Sequence, residues 1–235
     1  MRTSLFSLIV AIVIASLTRF ASAQEPTIVL PPGMDATFGN DFGDVPTEPR
    51  RVQWLYASDY FVDFNGPVSI TSLAWRPNEG SDSITSIDED VSVRLSTSPV
   101  SSLRMAYEQN VGDDVREVYH GALSIVSPAD PSMEDFLLTV VFDEPFIYDP
   151  RVGDLLVDGV FEGFDQPWQV DNQALSGSAI RLLVGSPISS QGTYPWSILA
   201  AMQFTATAVP EPVSPCMTGI VFIAIAVGQR SRRGR

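Results

Sequence analysis

Apolar and polar residues alternate with a period of two along much of this chain. Val52, Trp54 and Tyr56 hold one phase; Val91, Val93 and Leu95 alternate with Ser92, Arg94 and Ser96; Ile198, Ala200, Met202, Phe204 and Ala206 keep a single phase near the end. Successive side chains on a strand point to opposite faces, so the pattern predicts strands with one face on a core and the other in water. Val68 and Ile70 fall out of phase with Leu73 and Trp75, which predicts a bulge or bend between them. Phe136–Phe142 is apolar at almost every position and reads as a strand covered on both sides, with Leu155–Phe161 as its neighbour.

Turn chemistry separates these runs: Asn65-Gly66-Pro67, Pro77-Asn78-Glu79-Gly80, Val111-Gly112-Asp113-Asp114, Pro128-Ala129-Asp130-Pro131 and Asp149-Pro150-Arg151-Val152-Gly153-Asp154. Glycine supplies positive φ and proline forbids helix continuation, so short strands joined by tight turns result. No helical stripe of useful length follows residue 23. The expected fold is all-β, a two-sheet sandwich in jelly-roll order over residues 50–208, because strands without intervening helices bury their apolar faces against another sheet. Residues 24–49, with five prolines, read as an irregular lead whose Phe38 and Phe42 dock on the sandwich.

The two ends of the chain carry a different pattern. Met1-Arg2-Thr3, the apolar run Leu5–Leu17 and the small residues Ala21-Ser22-Ala23 form a signal peptide over residues 1–23, with a signal helix and a cleavage site recognised through Ala21 and Ala23. Residues 209–235 combine Val209-Pro210-Glu211-Pro212, an apolar stretch Met217–Val227 and a basic tail of Arg230, Arg232, Arg233 and Arg235. Arginine resists crossing the bilayer, so the tail anchors a C-terminal membrane helix on the cytoplasmic side. The apolar stretch is eleven residues long, against the ~20 of a relaxed span, so anchoring is expected to be marginal and transient.

This three-part order resembles the PEP-CTERM sorting signal of exported bacterial proteins, with Pro210, Glu211 and Pro212 at the motif positions. The resemblance implies an exosortase-like processing enzyme as partner beside signal peptidase, and release to the cell surface or the extracellular matrix. The segments Ile70-Thr71-Ser72-Leu73-Ala74-Trp75-Arg76-Pro77, Val93-Arg94-Leu95-Ser96-Thr97 and Phe146-Ile147-Tyr148-Asp149-Pro150-Arg151-Val152-Gly153-Asp154-Leu155-Leu156-Val157-Asp158 are similar to a recurrent domain of such proteins. That likeness implies the fold and the export route, and it carries no activity.

Composition narrows the chemistry. Between Gln24 and Ala208 eight arginines face 27 acidic residues, a formal charge of −19, and the chain has no lysine. Such a surface repels phosphate backbones, so nucleic acid is not an expected partner. Cys216 is the only cysteine and lies in the sorting segment, which removes disulfides, thiol nucleophiles and zinc–cysteine sites from the globular part. His120, the only histidine, stands in the strand-like Glu117-Val118-Tyr119-His120-Gly121, with no Gly-x-Ser-x-Gly elbow anywhere. No catalytic constellation is expected, and no cofactor.

Three candidate sites remain. Asp82, Asp88 and Asp90 crowd the segment before Val91, and hard carboxylate oxygens suit a structural calcium ion. Trp168, Gln169, Asp171 and Asn172 combine a flat apolar ring with donors and acceptors that can fix sugar hydroxyls, and Tyr194-Pro195-Trp196 offers a second aromatic. Asp143-Glu144 or Glu134-Asp135 can supply the carboxylates of a glycosidase. The expected function is a noncatalytic surface or matrix protein associated with exopolysaccharide; the alternative is a secreted carbohydrate-active hydrolase. Geometry discriminates: a cleft holding two carboxylates suits the enzyme, a convex face with an aromatic platform suits the binder.

Overall fold

The computed structural model describes residues 26–210. The expected signal peptide with Ala21 and Ala23, the expected membrane segment, Glu211, Pro212 and the arginines Arg230, Arg232, Arg233 and Arg235 lie outside the described residues. Among the described residues no helix is long and apolar enough to cross a membrane.

The alternating segments form strands, and every pairing is antiparallel. One sheet has the order β1-β13-β4-β7, made of β1 (Thr27–Leu30), β13 (Met202–Ala208), β4 (Val68–Trp75) and β7 (Leu138–Tyr148). A second has the order β11-β10-β3-β8-β5-β6, from β11 (Tyr194–Trp196), β10 (Leu182–Gly185), β3 (Arg50–Tyr56), β8 (Asp154–Phe161), β5 (Ile84–Ser98) and β6 (Arg116–Ser127). A small third sheet, β12-β9-β2, joins β12 (Ile198–Ala200), β9 (Gln169–Ala174) and β2 (Asp41–Asp44). The two larger sheets face each other as an all-β sandwich: Trp54 of β3 meets Trp75 of β4 at 5.8 Å, and Tyr56 of β3 meets Phe204 of β13 at 5.4 Å. The register of β4 shifts between Ile70 and Ser72, where its phase changes.

Three expectations are corrected. Strand β7 is not covered on both sides: Leu138, Val140 and Phe142 are buried while Thr139 and Val141 are exposed, because β7 is an edge strand whose outer face nothing packs against. Nor is Leu155–Phe161 its neighbour; β8 sits in the opposite sheet between β3 and β5, and loops close over its outer side, packing Leu103 and Tyr107 on Leu55, Leu156 and Leu183. The lead is not irregular throughout, since it contributes β1 and β2 as edge strands of two sheets. Short β-prone stretches gain order there by adding to a pre-existing sheet edge, an effect that local prolines obscure.

Candidate functional site

A cavity of about 630 Å³ opens at one end of the sandwich, where β3 begins, β8 ends, β4 ends and β7 begins. That volume falls in the range of small-ligand clefts. All four tryptophans of the chain, Trp54, Trp75, Trp168 and Trp196, border it. Cross-strand register explains the convergence. Arg50, Val52 and Trp54 alternate onto the inner face of β3; Trp54 pairs with Leu182 of β10, and Leu182 with Trp196 of β11, which carries that face out to the open edge of the sheet. The opposite wall comes from the small sheet, where Gly43 pairs with Val170 and Asp41 with Asn172.

The deep wall is a continuous set of edge-on aromatic contacts. Phe161 lies 6.4 Å from Trp54 and 6.5 Å from Trp75, and Trp168 stands T-shaped on Phe164 at 5.8 Å. Gly159 makes this possible: a Cβ there would sit 2.7 Å from the Phe161 ring and 3.4 Å from Trp54. Trp196 at the mouth is 44 % exposed and lies parallel to Tyr194 at 5.7 Å, so one face of the indole is covered by its neighbour. The wall from β2 stands close to β9 because Gly43 has no side chain; a Cβ would meet the Asn172 side-chain amide at 2.6 Å.

Polar groups ring the mouth. Asp41, Asp44, Glu48 and Arg50 border the cavity. Arg50 donates to Glu48 at 3.2 Å, Gln169 Nε2 donates to Asp44 at 3.1 Å, and the Phe42 N–H donates to Asp41 Oδ1 at 2.8 Å. Behind the wall a buried ion pair holds the lead in place. Arg76 Nε donates to Asp171 Oδ2 at 2.8 Å, its other nitrogens donate to the carbonyls of Met34, Thr37 and Met133, and its guanidinium lies 4.9 Å from the Phe38 ring. Asp171 Oδ1 accepts from the Gly39 N–H at 2.9 Å. Burial pushes the Asp171 carboxyl above its usual range, against the pull of Arg76 and of the Gly39 N–H.

The glycan candidates divide accordingly. Trp168 is no exposed platform: it is 5 % exposed, part of the core and of the deep cavity wall, and its indole N–H has no partner among the described residues. Asp171 is fully buried and committed to Arg76, so it offers nothing to a ligand. Asn172 is buried but borders the cavity, and Gln169 is taken up by Asp44. Asp171 and Asn172 are buried because 169–174 is the central strand of the small sheet, paired on both sides by β2 and β12. The aromatic face at the mouth belongs to Trp196.

The calcium candidates do not converge. Asp82 is exposed in a loop; Asp88 is buried within β5, its oxygens accepting the N–H groups of Gly163 at 2.9 Å and Asp90 at 3.2 Å; Asp90 pairs with His120 at 3.1 Å. No group of three potential metal ligands occurs among the described residues. Asp143 and Glu144 are exposed on β7, Glu134 and Asp135 lie in the loop before it, and none of the four borders the cavity. The carboxylates that do, Asp41, Asp44 and Glu48, sit in the proline-rich lead, more than a hundred residues from Trp168 and Trp196, and no spacing rule joins them. No protein-family model matches this chain, and no curated protein or solved structure matches it either.

Proposed function

We propose that this chain is an exported, noncatalytic cell-surface or extracellular-matrix protein that holds exopolysaccharide in the end cleft of its sandwich and is sorted by its PEP-CTERM-like C-terminus. The observation that carries the reading is the gathering of all four tryptophans around one cavity of about 630 Å³, with Trp196 half-exposed at its mouth. The exposed Trp196 face buries the apolar face of a sugar ring, while Asp41 and Asp44 offer carboxylate oxygens to its hydroxyls. Strand order supports a jelly roll: β1-β13-β4-β7 opposite β3-β8-β5-β6 is the interleaving that two Greek keys produce, an architecture common among lectin domains. Export rests on the terminal patterns, and sequencing of the secreted protein should return Gln24 as its first residue; an intact Met1 end would overturn that part.

A second reading, a carbohydrate-active hydrolase, is favoured by one observation: three carboxylates border the same cleft. A glycosidase needs two of them flanking the scissile bond. One experiment separates the readings. The full chain is offered an oligosaccharide panel, and both binding and new reducing ends are measured. Binding without cleavage, weakened about tenfold by Trp196→Ala at unchanged melting temperature, supports the binder. Cleavage abolished by Asp41→Asn or Glu48→Gln establishes the hydrolase, and absence of any bound glycan removes both.

A further inference from the structure

The mouth of the cleft is electrically lopsided: three carboxylates, Asp41, Asp44 and Glu48, border it with one cation, Arg50. Arg50 is already engaged by Glu48 at 3.2 Å, so its charge is offset. Asp41 is held by a backbone N–H and Asp44 by the neutral amide of Gln169, and among the described residues neither forms an ion pair. Of the indoles that border the cleft, Trp196 is the half-exposed one, and an indole face is the aromatic surface that attracts a cation most strongly. With 27 acidic residues against eight arginines between Gln24 and Ala208, the surrounding field concentrates cations and repels polyanions.

We infer that the cleft selects an amine-bearing glycan, a polymer of sugars with free ammonium groups, over a neutral or uronate-bearing one. The inference rests on the glycan reading above and narrows it. The sugar's apolar face lies against Trp196 on the side that Tyr194 leaves open, and its ammonium is held by the Asp41 carboxylate, which stands on the Val170–Asn172 side of the small sheet, while Asp44 at the rim acts through its charge. An acetylated amine keeps the ring and its hydroxyls but loses the charge, so acetylation is the sharpest discriminator.

The test is calorimetric titration of the full chain with four oligosaccharides of equal length: glucosamine, N-acetylglucosamine, glucose and a uronate. The glucosamine oligomer is expected to bind at least about tenfold more tightly than its acetylated form at low salt, with the margin shrinking at 0.5 M NaCl. Asp41→Asn should cut that margin about fivefold and Asp44→Asn by less, whereas Arg50→Gln, by freeing Glu48, should widen it; opposite signs exclude misfolding as the cause. Equal affinity for the acetylated or neutral oligomer overturns this inference and leaves the glycan reading standing. Tightest binding of the uronate overturns it as well, as does choline competing as well as the amino sugar, since the site would then read charge without the ring. Failure of all four oligomers to bind removes the glycan reading itself.

Discussion

Replacing Asp171 by asparagine should destabilise the domain and detach the wall of the cleft formed by β2. Both partners of the Arg76–Asp171 pair are fully buried, and among the described residues the guanidinium has no other anion within reach: its remaining contacts are the carbonyls of Met34, Thr37 and Met133 and the faces of Phe38 and Phe136. Removing one member of such a pair leaves an uncompensated buried charge, which costs about 3–5 kcal/mol. The Gly39 N–H loses its charged acceptor as well, adding to the effect on the lead. Against the roughly 5–15 kcal/mol typical of a domain, this is a large fraction, and it corresponds to a fall in Tm of about 10 °C. Differential scanning calorimetry measures it directly. The companion variant Arg76→Met/Asp171→Leu removes both charges and should recover part of the loss, because the uncompensated charge is gone while the carbonyls of Met34, Thr37 and Met133 and the Gly39 N–H lose their partners. A single substitution costing under about 1 kcal/mol, or a double variant no more stable than Asp171→Asn alone, would refute the assignment of the pair as the fastening of the lead.

Trp168→Ala should cost about 3–5 kcal/mol in chemical denaturation, since the ring is buried against Phe164; a cost below about 1 kcal/mol would mean the side chain is not part of the core. Acidification should loosen the 164–166 segment from β5. The Ile87 N–H and then the Ser86 hydroxyl hold the Asp165 carboxyl below its usual range, so its stabilisation is complete above the unfolded value of about 4 and is lost as pH falls through the lower folded value. The Ile87 amide resonance should report this titration in the wild type and not in Asp165→Asn, and an Ile87 shift that is pH-independent in both would contradict it.

Periodicity alone determined that the chain is β-rich, located β3, β4, β5 and β13, and placed the bulge in β4, because a strand with one face in a core must alternate and a bulge must break the phase. What it could not determine was which strands become neighbours. The near-continuous apolar runs of β7 and β8 look alike, yet one is an open edge and the other a covered centre, a difference made by loops that pack on one sheet and not on the other. The same limit governs the cleft. Trp168 carried a clear local signal, an indole beside amides and carboxylates, but whether that indole meets solvent or core depends on the Phe164 ring packed against it. Asp41, Asp44 and Trp54 carried no signal of a binding site, since a binding surface assembled from strand ends is a property of the pairing register between distant segments, and only the folded sheets bring those segments together.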